Sequence, residues 1–274
     1  MSFEPGPALL FCPADRPDRY AKAVERADAV ILDLEDAVAP ENRVAARNAV
    51  IASDLDPARV IVRVNEVGSP DWALDLAALA DTDYRTLMVP KADARLLDAM
   101  PDGYDIVALC ESAAGIVDAP VLARSVAALM WGAEDLVASL GGTSSRLTDG
   151  TYRDVARTAR ANVLLAAGAA GIPAIDTVHL DIDDLDGLRA EASDAAASGF
   201  AATACIHPSH VAVIREAYAP TAEQVAWAQR VLDASSRAAS DGHGGVFRFE
   251  GGMVDGPVLR HAEAVLRREP SSRG

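Results

Sequence analysis

Acidic side chains recur at one kind of place in this sequence, just past a short apolar run. Asp33-Leu34-Glu35-Asp36 ends the run that begins at Ala29. Glu111 follows Asp105–Cys110, Gly132-Ala133-Glu134-Asp135 follows Ala127–Trp131, and Asp176 ends the run from Ile172. Basic groups stand at equivalent points: Arg63 inside Val60–Val64, Lys91 after Thr86–Val89 and Pro90, and His207 after Ala202–Ile206. Several carboxylates gathered on one rim repel one another and are costly to desolvate uncompensated. A hard divalent cation resolves the conflict, because carboxylate oxygens and water together complete an octahedral Mg2+ shell. Glu111 and Asp135, on consecutive runs, are the expected ligands. Either alone reads equally as a salt-bridge partner or, for Asp135, as the cap of a helix beginning at Leu136.

Other residues sort around that pair. Arg63 sits in an otherwise apolar strand, so it needs an anionic partner. That partner is a rim carboxylate or a substrate carboxylate or enolate oxygen held bidentately. The backbone N–H groups of Gly132–Asp135 precede a helix start and suit a carboxylate. Arg19, Lys22 and Arg26 share one helical face, with Arg16 nearby. They form either a phosphate-binding patch or a solvated face with salt bridges. Lys91 is the alternative centre of chemistry, as a Schiff-base nucleophile; the only other lysine is Lys22. Cys110 reads as packing, His207 as a loop cap or ligand contact, and Asp255, in Gly-Gly-Met-Val-Asp-Gly-Pro, as a turn former on its own evidence.

The elements that must position these residues alternate. Strands are expected at 8–11, 29–34, 60–64, 86–89, 105–110, 127–131, 172–176 and 202–206. Helices are expected at 17–27, 41–51, 71–79, 92–99, 117–123, 151–169, 185–198 and 223–236. Eight such units predict an α/β protein, either a closed (β/α)8 TIM barrel or a doubly wound sheet. No GxGxxG follows the first strand, which favours the barrel, whose active sites lie at the C-terminal strand ends. The barrel is expected to span residues 1–236. Residues 237–274 would follow as a linker and C-terminal segment, with Ser235–Gly245 flexible and a helix from about Val258.

Composition limits the partners. The 274-residue chain carries a formal charge of −16, which disfavours nucleic acid and anionic membranes. No apolar run approaches the ~20 residues of a membrane span. Three scattered cysteines, Cys12, Cys110 and Cys205, suit a reducing compartment, so a cytoplasmic protein is expected.

The motifs LLFCPADRPDRYAKA, AVILDLEDAVAPENRVAAR, VIVRVN, LMVPKAD, ALCESAAGI, MWGAEDLVASLGG, CIHPSH and GGMVDGPVLRHAE, in this order over nearly the whole chain, resemble the citrate lyase β-subunit-like group of the HpcH/HpaI aldolase/citrate lyase family. That group includes malyl-CoA and citramalyl-CoA lyases. The resemblance implies a Mg2+-dependent carbon–carbon lyase that cleaves a β-hydroxyacyl-CoA to an acyl-CoA and a small keto acid. It implies Glu111 and Asp135 as Mg2+ ligands, and Arg63 on the keto-acid carbonyl or enolate. The Gly132, Ala133 and Glu134 amides would hold the substrate carboxylate, with Asp36 near the metal-bound waters. Arg16, Arg19 and Lys22 would meet CoA. It also implies that Asp255, as a catalytic residue, is carried by a C-terminal extension that packs on a neighbouring subunit, in a homotrimer or a dimer of trimers. Three rival readings remain at this point: a citrate lyase β role on a citryl-acyl-carrier protein, a class I aldolase through Lys91, and a non-catalytic acyl-CoA-binding protein.

Overall fold

All eight apolar runs become strands in the computed structural model, which describes residues 6–240 and 245–269. In chain order the elements are β1 (Ala8–Pro13), α1 (Tyr20–Arg26), β2 (Ala29–Asp33), α2 (Arg43–Ile51), β3 (Val60–Arg63), α3 (Pro70–Leu79), β4 (Thr86–Val89), α4 (Leu96–Ala99), β5 (Asp105–Cys110), α5 (Ala113–Leu122), β6 (Ala128–Trp131), α6 (Ala133–Ser139), α7 (Asp154–Ala170), β7 (Ala174–Asp176), α8 (Leu185–Ser198), β8 (Ala202–Cys205), α9 (His210–Tyr218), α10 (Ala222–Ser240), β9 (Phe247–Phe249), β10 (Gly252–Val254) and α11 (Gly256–Arg267). Strands β1 to β8 pair in sequence order, all parallel, and β8 returns to β1. This is a closed (β/α)8 barrel, and the doubly wound alternative is excluded. Strands covered on both faces read as unbroken apolar runs, and every residue of β2 is buried.

Alternation along each strand decides what faces the barrel axis. The inner core is Leu9, Ala29, Ile31, Ile61, Met88, Val107, Leu109, Ala128, Met130, Ile175, Ala202 and Ala204. Two residues further along the same faces come Phe11, Asp33, Arg63, Glu111, Gly132, Thr177 and Ile206. The apolar packing of the barrel therefore ends in a polar layer at the C-terminal rim.

Some expected boundaries differ. The helix expected at 92–99 shrinks to α4, because the turn before it is tied elsewhere. The Ala92 N–H donates to the Leu109 carbonyl (3.0 Å), and the Ala94 N–H to Asp118 Oδ2 (2.9 Å). Helix α6 begins at Ala133 rather than Leu136, with Gly132 at its N-cap position. Asp135 thus lies in its first turn and is not its cap. Helix α9 has no counterpart in the sequence reading.

The chain divides into two compact units, Met1–Ile214 and Arg215–Gly274. The boundary expected at residue 236 instead falls inside α10, which continues to Ser240. Ala is the strongest helix former, and the Ser236 and Ser240 hydroxyls bond back to the Leu232 and Ser236 carbonyls (3.0 Å each). Serine and alanine there extend a helix rather than loosen a linker; residues 241–244 lie outside the described residues. Within the second unit, α10, α11 and the antiparallel β9–β10 hairpin bury Ala228, Val231, Val254, Ala262 and Val265. Among the described residues no helix is long and apolar enough to cross a membrane.

One buried ion network braces the barrel wall. Asp75 on α3 is fully buried. It accepts from Arg47 Nε (2.7 Å), from the Asn65 amide N–H (2.8 Å) and from Asn65 Nδ2 (2.7 Å). Without Asp75, Arg47 keeps Asp71, but the buried Asn65 donors lose their acceptor, at about 1–3 kcal/mol. Asp75→Ala is expected to lower unfolding stability by that amount in denaturant titrations. A change below about 1 kcal/mol would show that the network is dispensable.

Candidate metal-binding and active site

The polar rim layer lines a cavity of about 400 Å3 together with Pro13, Asp36, Ala37, Leu109, Met130, Ala133, Glu134, Asp135, Val178 and Leu180. The structure thus brings Asp36, Arg63, Glu111, Gly132, Ala133, Glu134 and Asp135 to one site, as their strand-end positions predict. Glu111 and Asp135 reach it differently. Glu111 continues the inward phase of β5, whereas Asp135 is delivered by the first turn of α6, three residues after Gly132. Gly132 is there for space. A Cβ at this position would stand 2.8 Å from Glu111 Cβ and 2.9 Å from its Oε2.

Arg63 pairs with rim carboxylates and also faces the cavity. Its Nε and Nη2 donate to Asp33 Oδ1 and Oδ2 at 2.7 and 2.6 Å. Its Nη1 lies 3.2 Å from Glu35 Oε2 and 3.9 Å from Asp36 Oδ2, and its guanidinium stacks over Phe11 at 4.9 Å. Burial opposes the charge, yet the Asp33 hydrogen bonds and the Asp33, Glu35 and Glu111 charges hold its pKa above the usual arginine value. Asp33 is fixed in turn by the Glu35 and Ala37 N–H groups (3.0 and 3.1 Å). Sequence reading named Asp33 but gave it no role. Its inward phase, two residues beyond Ile31, was the available signal.

Electrostatically the site has a surplus of negative charge. Glu111 is buried, and its carboxyl is pushed up to about 8, first by burial, then by the charges of Asp135 and Glu35. Glu35 is also raised, chiefly by burial, against the lowering effects of Arg63 and Lys91. Its Oε2 is buried with no well-aligned hydrogen-bond partner; the 3.2 Å approach of Arg63 is an ion-pair contact only. Arg63 and Lys91 face Asp33, Glu35, Asp36, Glu111 and Asp135. That arrangement attracts a cation. Among the described residues no three His, Cys, Asp or Glu side chains gather to enclose a metal. A cation on Glu111 and Asp135 would keep open positions for substrate oxygens and water, as catalytic Mg2+ sites do.

Other expectations fare unevenly. Lys91 donates from Nζ to Glu35 Oε1 at 2.6 Å. Burial opposes its charge, but Glu35, Glu111 and Asp36 raise its pKa above the usual lysine value. The neutral amine a Schiff base needs is therefore scarce. Asp176 is out of phase with the site, pointing outward from β7 to Trp131 Nε1 (2.5 Å) and the Arg160 guanidinium (Nη2 2.8 Å). It borders a separate cavity of about 730 Å3 with Arg160, Leu188 and Phe200. His207 is exposed and bonded to Ser209 Oγ (2.7 Å), so it caps its own loop. Cys110 is buried with its thiol pushed up to about 12, mainly by burial, in keeping with packing. Arg19 and Lys22 are exposed on and beside α1. Arg16 is committed to Asp18 through Nε and Nη2 (3.0 Å each). Asp255 belongs to the second unit, where it caps α11 by accepting the Val258 N–H (3.3 Å).

Comparison with known proteins bears on this geometry. Residues 8–208 match the family described as HpcH/HpaI aldolase/citrate lyase. The chain belongs to this family. Within it, a citrate lyase subunit beta-like protein of Mycobacterium tuberculosis is 55% identical, over 96% of this chain and 95% of the relative. An L-malyl-CoA/beta-methylmalyl-CoA lyase of Cereibacter sphaeroides is 31% identical, over 96% and 94%. The crystal structure of CitE from Mycobacterium tuberculosis in complex with magnesium, acetoacetate and coenzyme A is similar with a TM-score of 0.88 at 54% identity, covering 98% of this chain and 100% of that one. The family and these relatives are lyases.

The Gly132 contact gives a paired prediction. Gly132→Ala forces Glu111 aside, and such overpacking costs about 1–3 kcal/mol. Gly168, inside α7, has open space at its Cβ position, so Gly168→Ala is expected to gain up to about 1 kcal/mol. Denaturant midpoints of the two variants should move in opposite directions.

Proposed function

We propose that this protein is a Mg2+-dependent carbon–carbon lyase that cleaves a β-hydroxyacyl-CoA, of malyl-CoA, citramalyl-CoA or 3-hydroxy-3-methylglutaryl-CoA type, to an acyl-CoA and a keto acid. The carrying observation is one cavity in which two carboxyl groups, Glu111 and Asp135, face one braced arginine, Arg63. The magnesium, acetoacetate and coenzyme A bound by the similar CitE support the choice of cofactor and substrate class.

In this reading Glu111 and Asp135 hold Mg2+, which when bound supplies a Lewis acid for the hydroxyl and keto oxygens. The first-turn N–H groups of α6, which no side chain caps, receive the substrate carboxylate alongside Gly132, Ala133 and Glu134. Arg63 donates to the oxygen on which charge develops as the carbon–carbon bond breaks. Pre-set donors of this kind are worth ~10²–10³ in rate. Bracing by Asp33 keeps the guanidinium from reorganising during the step. Asp36, half exposed beside Arg63, takes the hydroxyl proton. Asp255 gives a proton to the α-carbon of the thioester enolate, and removes it in the condensing direction. Arg16, Arg19 and Lys22 meet the CoA phosphates, with Arg16 exchanging Asp18 for the ligand.

Asp255 acts, in the same reading, from the second unit of a neighbouring subunit in a homotrimer or dimer of trimers. A cytoplasmic setting is supported by the few and scattered cysteines, Cys12, Cys110 and Cys205.

Malyl-CoA, citramalyl-CoA and 3-hydroxy-3-methylglutaryl-CoA, assayed by mass spectrometry of products, test the proposal. At least one is expected to be cleaved, with activity lost in EDTA and restored by Mg2+. Full turnover after metal removal contradicts the mechanism. Turnover confined to a citryl-acyl-carrier protein moves the substrate to the citrate lyase β class, and borohydride trapping at Lys91 would replace the metal mechanism with a Schiff base.

A further inference from the structure

Lys91 stands in a backbone conformation that residues with a Cβ avoid. Its φ is +49°, and among the described non-glycine residues only Glu250 is also positive. Such conformations persist where the surroundings over-determine them, and they gather at functional sites. The surroundings here are specific. The Lys91 N–H donates to Glu111 Oε1 at 3.0 Å, and the next N–H, of Ala92, donates to the Leu109 carbonyl. The Ala92 carbonyl packs where a Cβ on Gly115 would come within 2.3 Å, so Gly115, in the first turn of α5, leaves room for this turn.

The side chain of the same residue reaches the other half of the site. Its Nζ holds Glu35 Oε1 at 2.6 Å, and Glu35 Oε2 lies 3.2 Å from Arg63 Nη1. A continuous chain of contacts therefore runs from Glu111 through the Lys91 backbone, the Lys91 side chain and Glu35 to Arg63 and Asp33. With Oε1 of Glu111 taken by the Lys91 amide, Oε2 is left beside Gly132, on the side from which α6 delivers Asp135.

We infer that Lys91 is a positioning residue whose ion pair with Glu35 clamps a left-handed turn, so that its backbone N–H fixes one oxygen of Glu111 and leaves the other for a divalent cation. The inference rests on the reading of Glu111 as a cation ligand. It assigns the lysine no covalent role. A charge that merely neutralised Glu35 would need no positive φ, and a nucleophile would not need its amide on Glu111.

The left-handed turn makes the inference testable without turnover. Mn2+ binding to the intact protein, without substrate, is measured by calorimetry for the wild type, Lys91→Ala, Lys91→Gly, Lys91→Arg and Glu35→Gln, with circular dichroism to confirm folding. Altered outer-shell support typically weakens metal binding 10–100-fold, and Lys91→Ala is expected to fall in that range. Lys91→Gly takes positive φ freely and should stay within about threefold of wild type. Lys91→Arg, which keeps a cation on Glu35, should bind far better than Lys91→Ala. Glu35→Gln weakens the clamp without touching residue 91, and it carries the test if Lys91→Ala does not fold. Adding Glu35→Gln to Lys91→Ala should cost little more, since both cut one strut. Equal loss in the Ala and Gly variants, or unchanged binding in all, overturns the inference. Failure of the wild type to bind Mn2+ overturns the ligand reading itself, and the inference with it.

Discussion

A carboxylate buried among other carboxylates is the constraint around which the rim of this barrel is arranged. Glu111 loses hydration on the inward face of β5 and meets the charges of Asp135 and Glu35, which together push its carboxyl up to about 8. Isolated buried charges are not tolerated, and the neighbours respond accordingly. Gly132 yields space, the Lys91 amide supplies a hydrogen bond, and Arg63 supplies charge while held to Asp33. The residual negative charge is what a divalent cation would neutralise.

The same constraint explains how fold and site depend on each other. A closed parallel barrel fixes the phase of every strand, so a residue two positions beyond the apolar core layer faces the cavity, and its neighbour faces the helices. Asp33, Arg63 and Glu111 are in the first phase. Trp131 and Asp176 are in the second, and they join Arg160 in an outer network. A one-residue shift in any strand would exchange these roles. The short turns after β4 and β6 then convert the rigid phase into placement, presenting the Lys91 amide and the Asp135 carboxylate where strands alone cannot reach.

Much of this was legible in the residues. Apolar runs located all eight strands, with 86–89 and 105–110 matching β4 and β5 to the residue, because β strands buried on both faces leave a continuous signal. Glu111, Asp135 and Arg63 were legible as polar groups at strand ends. Asp33 and Asp176 both end apolar runs, and strand-end position alone does not separate the inward one from the outward one, because it carries no phase. The helix expected at 92–99 was too long because propensity carries no information about Lys91 and Ala92 bonding to β5. Helix α10 outran its expected end because Ser and Ala, read as linker residues, are compatible with a helix once its apolar face packs on α11. Asp255 reads from its surroundings as a turn former, and the structure finds it capping α11.

Burial and the neighbouring Asp135 and Glu35 raise the Glu111 carboxyl, so a cation that takes it as a ligand must displace a proton. Calorimetric titration of Mg2+ at pH 7, in two buffers of different ionisation heat, measures the protons released on binding. A carboxyl near 8 is mostly protonated at pH 7 and must lose its proton to ligate a metal. Release approaching one proton per Mg2+ is expected, falling towards zero at pH 9 and absent in Glu111→Gln. Tight Mg2+ binding with no proton release at pH 7, or binding unchanged in Glu111→Gln, would contradict it.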